Sequence, residues 1–259
     1  MLDRVHATAF RRSGPRWPCR GLWAVLLLAG CHAASPPRPS VGSPSVSVAD
    51  AALESGMPAT ALEVSRSILR SDPRNIGALV RQGAALARMN QPEAAMESWR
   101  SALAVDPTAA GALLGLGRLE LSRGGAAAAE QKFTKLLAAE PNDAAGLNNL
   151  GVALDMQGRH EAAQEVYAKL LRVAPNDGAG SVNLALSLSL SGQAARSVAM
   201  LRGPASLPDV TPRVRQDFAV ALVLSGNRRE AEKLLLTDLS PADAAVALSG
   251  YEAFNAVKK

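Results

Sequence analysis

The residue types that most often carry chemistry are scarce in this sequence. The 259-residue chain has two cysteines, Cys19 and Cys31, so the body after residue 31 has no internal disulfide, thiolate metal site or cysteine nucleophile. His160 is the only histidine after residue 32, and because it has no second ligand nearby it is predicted to be a surface residue beside a turn. The glycines are not spaced as a phosphate loop, and the acidic residues occur singly. We therefore predict a non-enzymatic protein without a catalytic, metal or cofactor site.

Cys31 ends a short apolar segment near the start of the chain. Residues 21–30 (GLWAVLLLAG) follow an arginine-rich stretch, and ten residues are too few to cross a membrane core, which takes about 20 in a helix. This pattern predicts a secretory signal. Leu28-Ala29-Gly30-Cys31 resembles the bacterial lipobox. The resemblance implies that residues 1–30 are a signal peptide cleaved after Gly30. It also implies that a lipid is covalently joined to the Cys31 sulfur, and no cofactor besides this lipid is expected.

The segment that follows Cys31 indicates where the protein acts. Residues 31–46 are rich in proline and serine, which predicts an extended, lipidated tether. In lipoproteins an aspartate after the lipidated cysteine often signals inner-membrane retention; His32 stands here, which favours the periplasmic face of the outer membrane.

Five arginines and one aspartate within residues 1–30 account for four of the five net positive charges. The body is therefore nearly neutral and poor in aromatic residues, so no nucleic-acid partner is expected.

A period of 34 residues runs through the rest of the chain. It appears in prolines, in small residues of one helix, in turn glycines, in alanines of a second helix and in large apolar residues. The five series are Pro73, Pro107, Pro141 and Pro175; Gly83, Gly117, Gly151, Ala185 and Ala219; Gly56, Asn90, Gly124, Gly158, Gly192 and Gly226; Ala61, Ala95, Ala129, Ala163, Ser197 and Ala231; Trp99, Phe133, Tyr167, Leu201 and Leu235. This pattern resembles the tetratricopeptide repeat (TPR) consensus over residues 47–245.

The resemblance implies an all-α superhelical solenoid of about six helix-turn-helix units in residues 47–240. A capping helix and tail follow in residues 241–259, with Ser240 as N-cap and Pro241 at the first helical position. Each series has a physical reason: small residues allow close helix crossings, glycine accepts a positive φ at the turn, and proline follows the second helix. Pro204 and Pro208 are expected to shorten the second helix of the fifth unit.

The first helix of each unit is expected to line a concave surface that holds partner segments. An asparagine side chain can bond both the N–H and the C=O of a bound backbone, which makes asparagines there candidate peptide ligands. The alternative is that such residues are solvated or bonded within the repeats. The sequence leaves both readings open for the asparagines and favours the alternative for the charged residues. The candidates are Asn148, Asn149, Asn183, Arg118, Arg81, Asp155 and Asp217.

The end of the array resembles a particular group of lipoproteins. Residues 211–254 (TPRVRQDFAVALVLSGNRREAEKLLLTDLSPADAAVALSGYEAF) are similar to the C-terminal part of the TadD family of the tight-adherence (Flp) pilus system. Departures are Asp217-Phe218 where Asn-Leu is usual, and Ser249-Gly250-Tyr251 in the closing helix. Membership would imply an outer-membrane lipoprotein that helps the pilus secretin assemble or localise, with the secretin or other pilus components as partners. A general periplasmic TPR lipoprotein, scaffolding envelope enzymes or outer-membrane assembly, is the alternative.

Overall fold

The computed structural model describes residues 45–207 and 209–257, with side chains up to residue 253. These residues form thirteen helices and no strand, so the predicted all-α solenoid is confirmed. The signal peptide, Gly30, Cys31 and residues 31–44 of the tether lie outside the described residues. Among the described helices none is both long enough and apolar enough to span a membrane.

The helices alternate between first and second members of a pair. The first members are α1 (Val46–Glu54), α3 (Ile76–Arg88), α5 (Ala110–Ser122), α7 (Ala144–Asp155), α9 (Gly178–Leu190) and α11 (Pro212–Leu224). The second members are α2 (Pro58–Ser71), α4 (Pro92–Val105), α6 (Ala126–Ala139), α8 (His160–Val173), α10 (Ala194–Ala205) and α12 (Arg228–Leu235), and α13 (Pro241–Val257) closes the array. Helices α2, α4, α6 and α8 have 14 residues each, whereas α10 has 12 and carries Pro204 in its last turn.

The turns inside the pairs use the glycine series as predicted. Gly56, Gly124, Gly158, Gly192 and Gly226 all have a positive φ, and Asn90 takes the same conformation with a φ of 58°. Glycine lacks the Cβ that makes this region costly, and asparagine tolerates it better than most residues. The six turns therefore share one backbone geometry, which keeps the pairs in register.

Within a pair, the two helices cross at the small residues of the first helix. A Cβ added to Gly83, Gly117 or Gly151 would lie 2.4, 2.4 or 2.3 Å from the nearest atom of Trp99, Phe133 or Tyr167, respectively. These rings are buried, with exposed fractions of 5, 0 and 1%. The glycines are thus required by the rings that fill the space beside them.

Contacts between pairs give the array its curvature. Each first helix contacts the first helix of the next pair, from α1 to α3 and onward to α11, which contacts α13. Within residues 45–257, no second helix contacts the second helix of the next pair. Because the first helices lie closer together than the second helices, the first helices form the inner, concave side of the array.

Candidate protein-binding groove

The exposed side of α3, α5, α7 and α9 forms a continuous surface, which we call the groove. Three positions of each repeat contribute to it, all within these helices except Met156, which directly follows α7, and equivalent positions are 34 residues apart. In order along the array they are Val80, Leu114, Asn148 and Val182; Ala84, Arg118, Val152 and Leu186; Arg88, Ser122, Met156 and Leu190. Most of these side chains are apolar, and all are at least partly exposed.

A cavity of about 590 Å³ lies in the groove between α3 and α5, and we call it the α3–α5 cavity. Its walls include Val80, Ala84 and Leu114, and Trp99 of α4 also lines it. Two wall positions of α5 are glycines, Gly111 and Gly115, where the next repeat carries an alanine and an asparagine. A Cβ on Gly115 would lie 2.4 Å from the indole of Trp99, so the larger ring excludes a side chain there.

A second cavity, of about 250 Å³, lies two repeats further along, and we call it the α7–α9 cavity. It is lined by Val152, Asp155, Met156, Tyr167, Asn183, Leu186 and Leu190. Half of the Met156 surface is exposed. A flexible, exposed methionine beside leucines is well suited to packing against an apolar side chain of a partner.

The three predicted asparagines have different environments. Asn183 Nδ2 donates to Asn148 Oδ1 across α9 and α7, at 2.9 Å. Asn149 Nδ2 instead donates to the carbonyl of Ala145 in its own helix, at 2.7 Å. The structure therefore joins Asn148 of the groove to Asn183, which lines the α7–α9 cavity, whereas the amide of Asn149 is held by its own backbone.

The two predicted arginines also differ. Arg81 makes a double hydrogen bond with the carboxylate of Asp50 on α1, with distances of 2.7 and 3.0 Å. Arg118 is exposed and makes no hydrogen bond or ion pair with any residue in the described ranges. Arg118 lines the α3–α5 cavity, so its charge is available to a partner there.

Asp155 belongs to a polar cluster that joins α7, α8 and α9. Its Oδ1 accepts a hydrogen bond from Ser187 Oγ at 2.7 Å and lies 2.9 Å from His160 Nδ1. The prediction that His160 is a surface residue is wrong: only 17% of its side chain is exposed, because it packs against Asp155. Burial, together with the nearby charge of Asp155, raises the pKa of Tyr167.

This cluster contains a serine, a histidine and an aspartate but lacks the geometry of a catalytic triad. The Ser187 hydroxyl donates to the carboxylate instead of the imidazole, and Ser187 is fully buried. Its role is therefore to hold three helices together. The sequence signal was a polar residue at 187, where the earlier repeats carry Ala85, Leu119 and Ala153.

Asp217 lies near the end of the array, where only 8% of it is exposed. Burial raises the pKa of its carboxyl, and Arg213, whose Nε lies 3.4 Å from Asp217 Oδ2, opposes that shift. Burial raises the pKa of Tyr251 on α13, and the charge of Asp217 raises it further. The carboxylate is thus packed inside the array and is not displayed in the groove. Nowhere in residues 45–257 do three or more potential metal ligands cluster.

Comparisons with known proteins agree with this architecture. A family model described as tetratricopeptide repeat matches residues 80–144 and 117–180. A tetratricopeptide repeat protein from Parabacteroides merdae ATCC 43184 has a similar structure, with 17% identity and a TM-score of 0.65, over 80% of this chain and 84% of that one. The fold is a TPR solenoid.

Two other solved structures are similar to the chain. PilF of Pseudomonas aeruginosa has 18% identity and a TM-score of 0.67, over 80% of this chain and 95% of PilF. PilW, a type IV pilus biogenesis factor, has 20% identity and the same TM-score, over 74% of this chain and 91% of PilW. No curated protein matches the sequence significantly. TPR solenoids are protein-interaction scaffolds, so the groove is the candidate binding surface of this one.

Proposed function

We propose that this TPR protein is lipid-anchored at Cys31 to the periplasmic face of the outer membrane, where it binds the secretin of a tight-adherence (Flp) pilus and assists its assembly or localisation. The groove carries the proposal. It combines two apolar cavities, an arginine that no residue of the described ranges pairs with, and a pair of partly exposed asparagines on one concave surface. Such a surface suits an extended segment of another protein, with apolar pockets for side chains and amides for the backbone.

The location is supported by the sequence. The lipobox at residues 28–31 and the tether that follows would place the repeats next to the membrane in which a secretin inserts. The pilus assignment is supported by the resemblance of residues 211–254 to the TadD family. The structural similarity to PilW, itself a pilus biogenesis factor, is consistent with it at the level of the fold.

Deleting the gene tests the function. We expect the deletion strain to lose surface pili, counted by electron microscopy, and to lose heat-resistant secretin multimers on denaturing gels. Restoring the wild-type gene should recover both. A deletion strain with normal pili and normal multimers would refute the pilus function.

The alternative is a general scaffold for envelope enzymes or outer-membrane assembly. A prepilin, a secretin and a secretion ATPase encoded nearby would favour the pilus function over this alternative.

Complementation with groove variants tests the surface. Changing Asn148 and Asn183 together to alanine removes both partners of one hydrogen bond, so no buried group is left unpaired. We expect this double variant to remain folded but to restore fewer secretin multimers. Asn149→Ala is the matched control, because that amide is bonded to its own helix. Equal complementation by both would argue against backbone binding by the asparagine pair.

Cys31→Ser tests the anchor. The thiol is the atom that would carry the lipid, so the variant should not incorporate radiolabelled palmitate and should leave the outer-membrane fraction. Cys19→Ser is the control: it should still incorporate palmitate and should remain in the outer-membrane fraction. Continued labelling of the Cys31 variant would refute lipidation at this residue.

A further inference from the structure

The α3–α5 cavity has an apolar interior and a positively charged rim. Three arginines line it, Arg88, Arg118 and Arg123, and no acidic residue does. Arg123 is paired with Glu93 at 2.7 Å, but Arg88 donates only to the backbone carbonyl of Leu53 and Arg118 has no described partner. Two positive charges therefore have no paired carboxylate among the described residues, and they lie beside a space bounded by valine, alanine, leucine and tryptophan.

We propose that this cavity binds an acidic–apolar element of an extended partner segment. A large apolar side chain, such as leucine, methionine or phenylalanine, enters the cavity against Trp99, and an adjacent aspartate or glutamate pairs with Arg118. The proposal rests on the proposed function in that it takes the groove as the surface that binds a partner protein. It adds the chemistry of the segment and the place where the segment is anchored.

Charge complementarity favours this occupant over the chain's own tether. Residues 32–44 contain Arg38 and no acidic residue, and Val41 is their only large aliphatic residue. A segment of that composition would bring another positive charge to the arginine rim and has no large side chain to fill about 590 Å³.

The α7–α9 cavity indicates how far the segment extends. The two cavities are two repeat steps apart, and packed helices lie roughly 8–10 Å from each other, which gives about 20 Å between the cavities. An extended chain rises about 3.3 Å per residue, so about six residues span this distance. The segment therefore carries a second apolar residue about six positions from the first, and it crosses the Asn148–Asn183 pair.

A peptide selection tests the proposal. A phage-displayed library of random 12-residue peptides is selected on the full chain carrying Cys31→Ser. We expect enriched sequences to place Asp or Glu next to Leu, Met or Phe, with a second apolar residue about six positions away. Enrichment of peptides without an acidic residue, or no enrichment, would overturn the proposal.

Two variants then locate the binding, with the best selected peptide labelled with fluorescein and measured by anisotropy. Arg118→Glu reverses the available charge and should weaken binding at least about tenfold. Ala84→Leu fills the cavity and should weaken it similarly. The helix tolerates a larger side chain there, because the equivalent positions carry Arg118, Val152, Leu186 and Val220. The controls Arg100→Glu and Ala104→Leu change exposed residues of α4 outside the cavity and should leave the affinity within about twofold.

The remaining outcomes are equally decisive. Unchanged affinity in both groove variants, with thermal unfolding like that of wild type, would overturn the proposal. A dimer in sedimentation that Arg118→Glu dissociates would assign the cavity to a second copy of the chain. Peptide binding that appears only when residues 32–44 are replaced by a glycine–serine sequence would assign it to the tether.

Failure of this inference is separable from failure of the proposed function. If deletion abolishes pili but the Arg118→Glu gene restores them fully, the pilus function stands and the acidic–apolar anchor is wrong. If deletion leaves pili intact while selection yields the expected peptides, the anchor stands and the pilus function is wrong.

Discussion

Replacing Gly151 tests whether close helix crossings set the geometry of the array. The site is inside α7, and a Cβ there would lie 2.3 Å from Tyr167 Cε1 and 2.5 Å from Cζ. Ordinary contacts of a Cβ are 3.4–4 Å, so the overlap exceeds about 1 Å. The phenol ring is 1% exposed and cannot rotate away without displacing its neighbours. The substitution therefore requires α7 and α8 to separate.

Two opposing terms set the magnitude. Alanine is preferred over glycine inside a helix by about 1 kcal/mol, and overpacking costs about 1–3 kcal/mol. Gly151→Ala should therefore lower the free energy of unfolding by up to about 2 kcal/mol, and Gly151→Leu by more than 3 kcal/mol, since it adds three further carbons at the same crossing. Gly250 in α13 is the matched control, because a Cβ there would meet nothing within 4 Å. Gly250→Ala should stabilise by about 0.5–1 kcal/mol.

Urea unfolding followed by circular dichroism measures these changes. We predict that the two alanine variants change the free energy of unfolding in opposite directions. If Gly151→Ala stabilised the protein as much as Gly250→Ala, and Gly151→Leu unfolded like wild type, the crossing would not be tight and the explanation of the glycine series would be wrong.

Three further substitutions test particular contacts. Burial raises the folded pKa of Asp217 above its unfolded value, so its charge opposes folding above that pKa. Asp217→Asn should therefore raise the melting temperature at pH 7, and the gain should vanish as the pH falls towards 3.8. A gain in melting temperature that does not depend on pH would refute this reasoning. His160→Ala removes the contact with Asp155 and should cost about 0.5–1.5 kcal/mol in urea unfolding, and an unchanged midpoint would show that the contact contributes nothing. Arg81→Ala breaks a partly exposed ion pair with Asp50 and should lower the free energy of unfolding by less than about 1 kcal/mol in the same assay. A larger decrease would contradict the expectation that this exposed pair contributes little to stability.

The architecture could be predicted from the sequence because its determinants repeat. One glycine can have many causes, but glycines at 124, 158, 192 and 226 with a common spacing require a common backbone conformation, and the structure shows it. The shared spacing likewise identifies the helix crossings at Gly117 and Gly151. Periodicity thus identifies the positions that the fold itself constrains.

The groove was harder to predict, since side-chain partners there come from different repeats. Asn149 and Asn183 are equivalent in the repeat, yet one bonds to its own helix and the other to Asn148. The α3–α5 cavity is lined by Trp99 together with two glycines of α5, a combination that the period alone does not reveal. The burial of His160 has a different cause: its partner Asp155 lies in the same repeat, five residues away across the turn between α7 and α8, and the 34-residue period does not predict that contact.

Photo-crosslinking in cells tests the central claim, that the groove binds the secretin, most directly. Benzoylphenylalanine is introduced in place of Leu186, which lines the α7–α9 cavity, and separately in place of Ala138, an exposed residue of the second helix α6. After irradiation of piliated cells, we predict an adduct between this protein and the secretin from position 186 and none from position 138. A secretin adduct from position 138 alone, or from neither position, would contradict the claim.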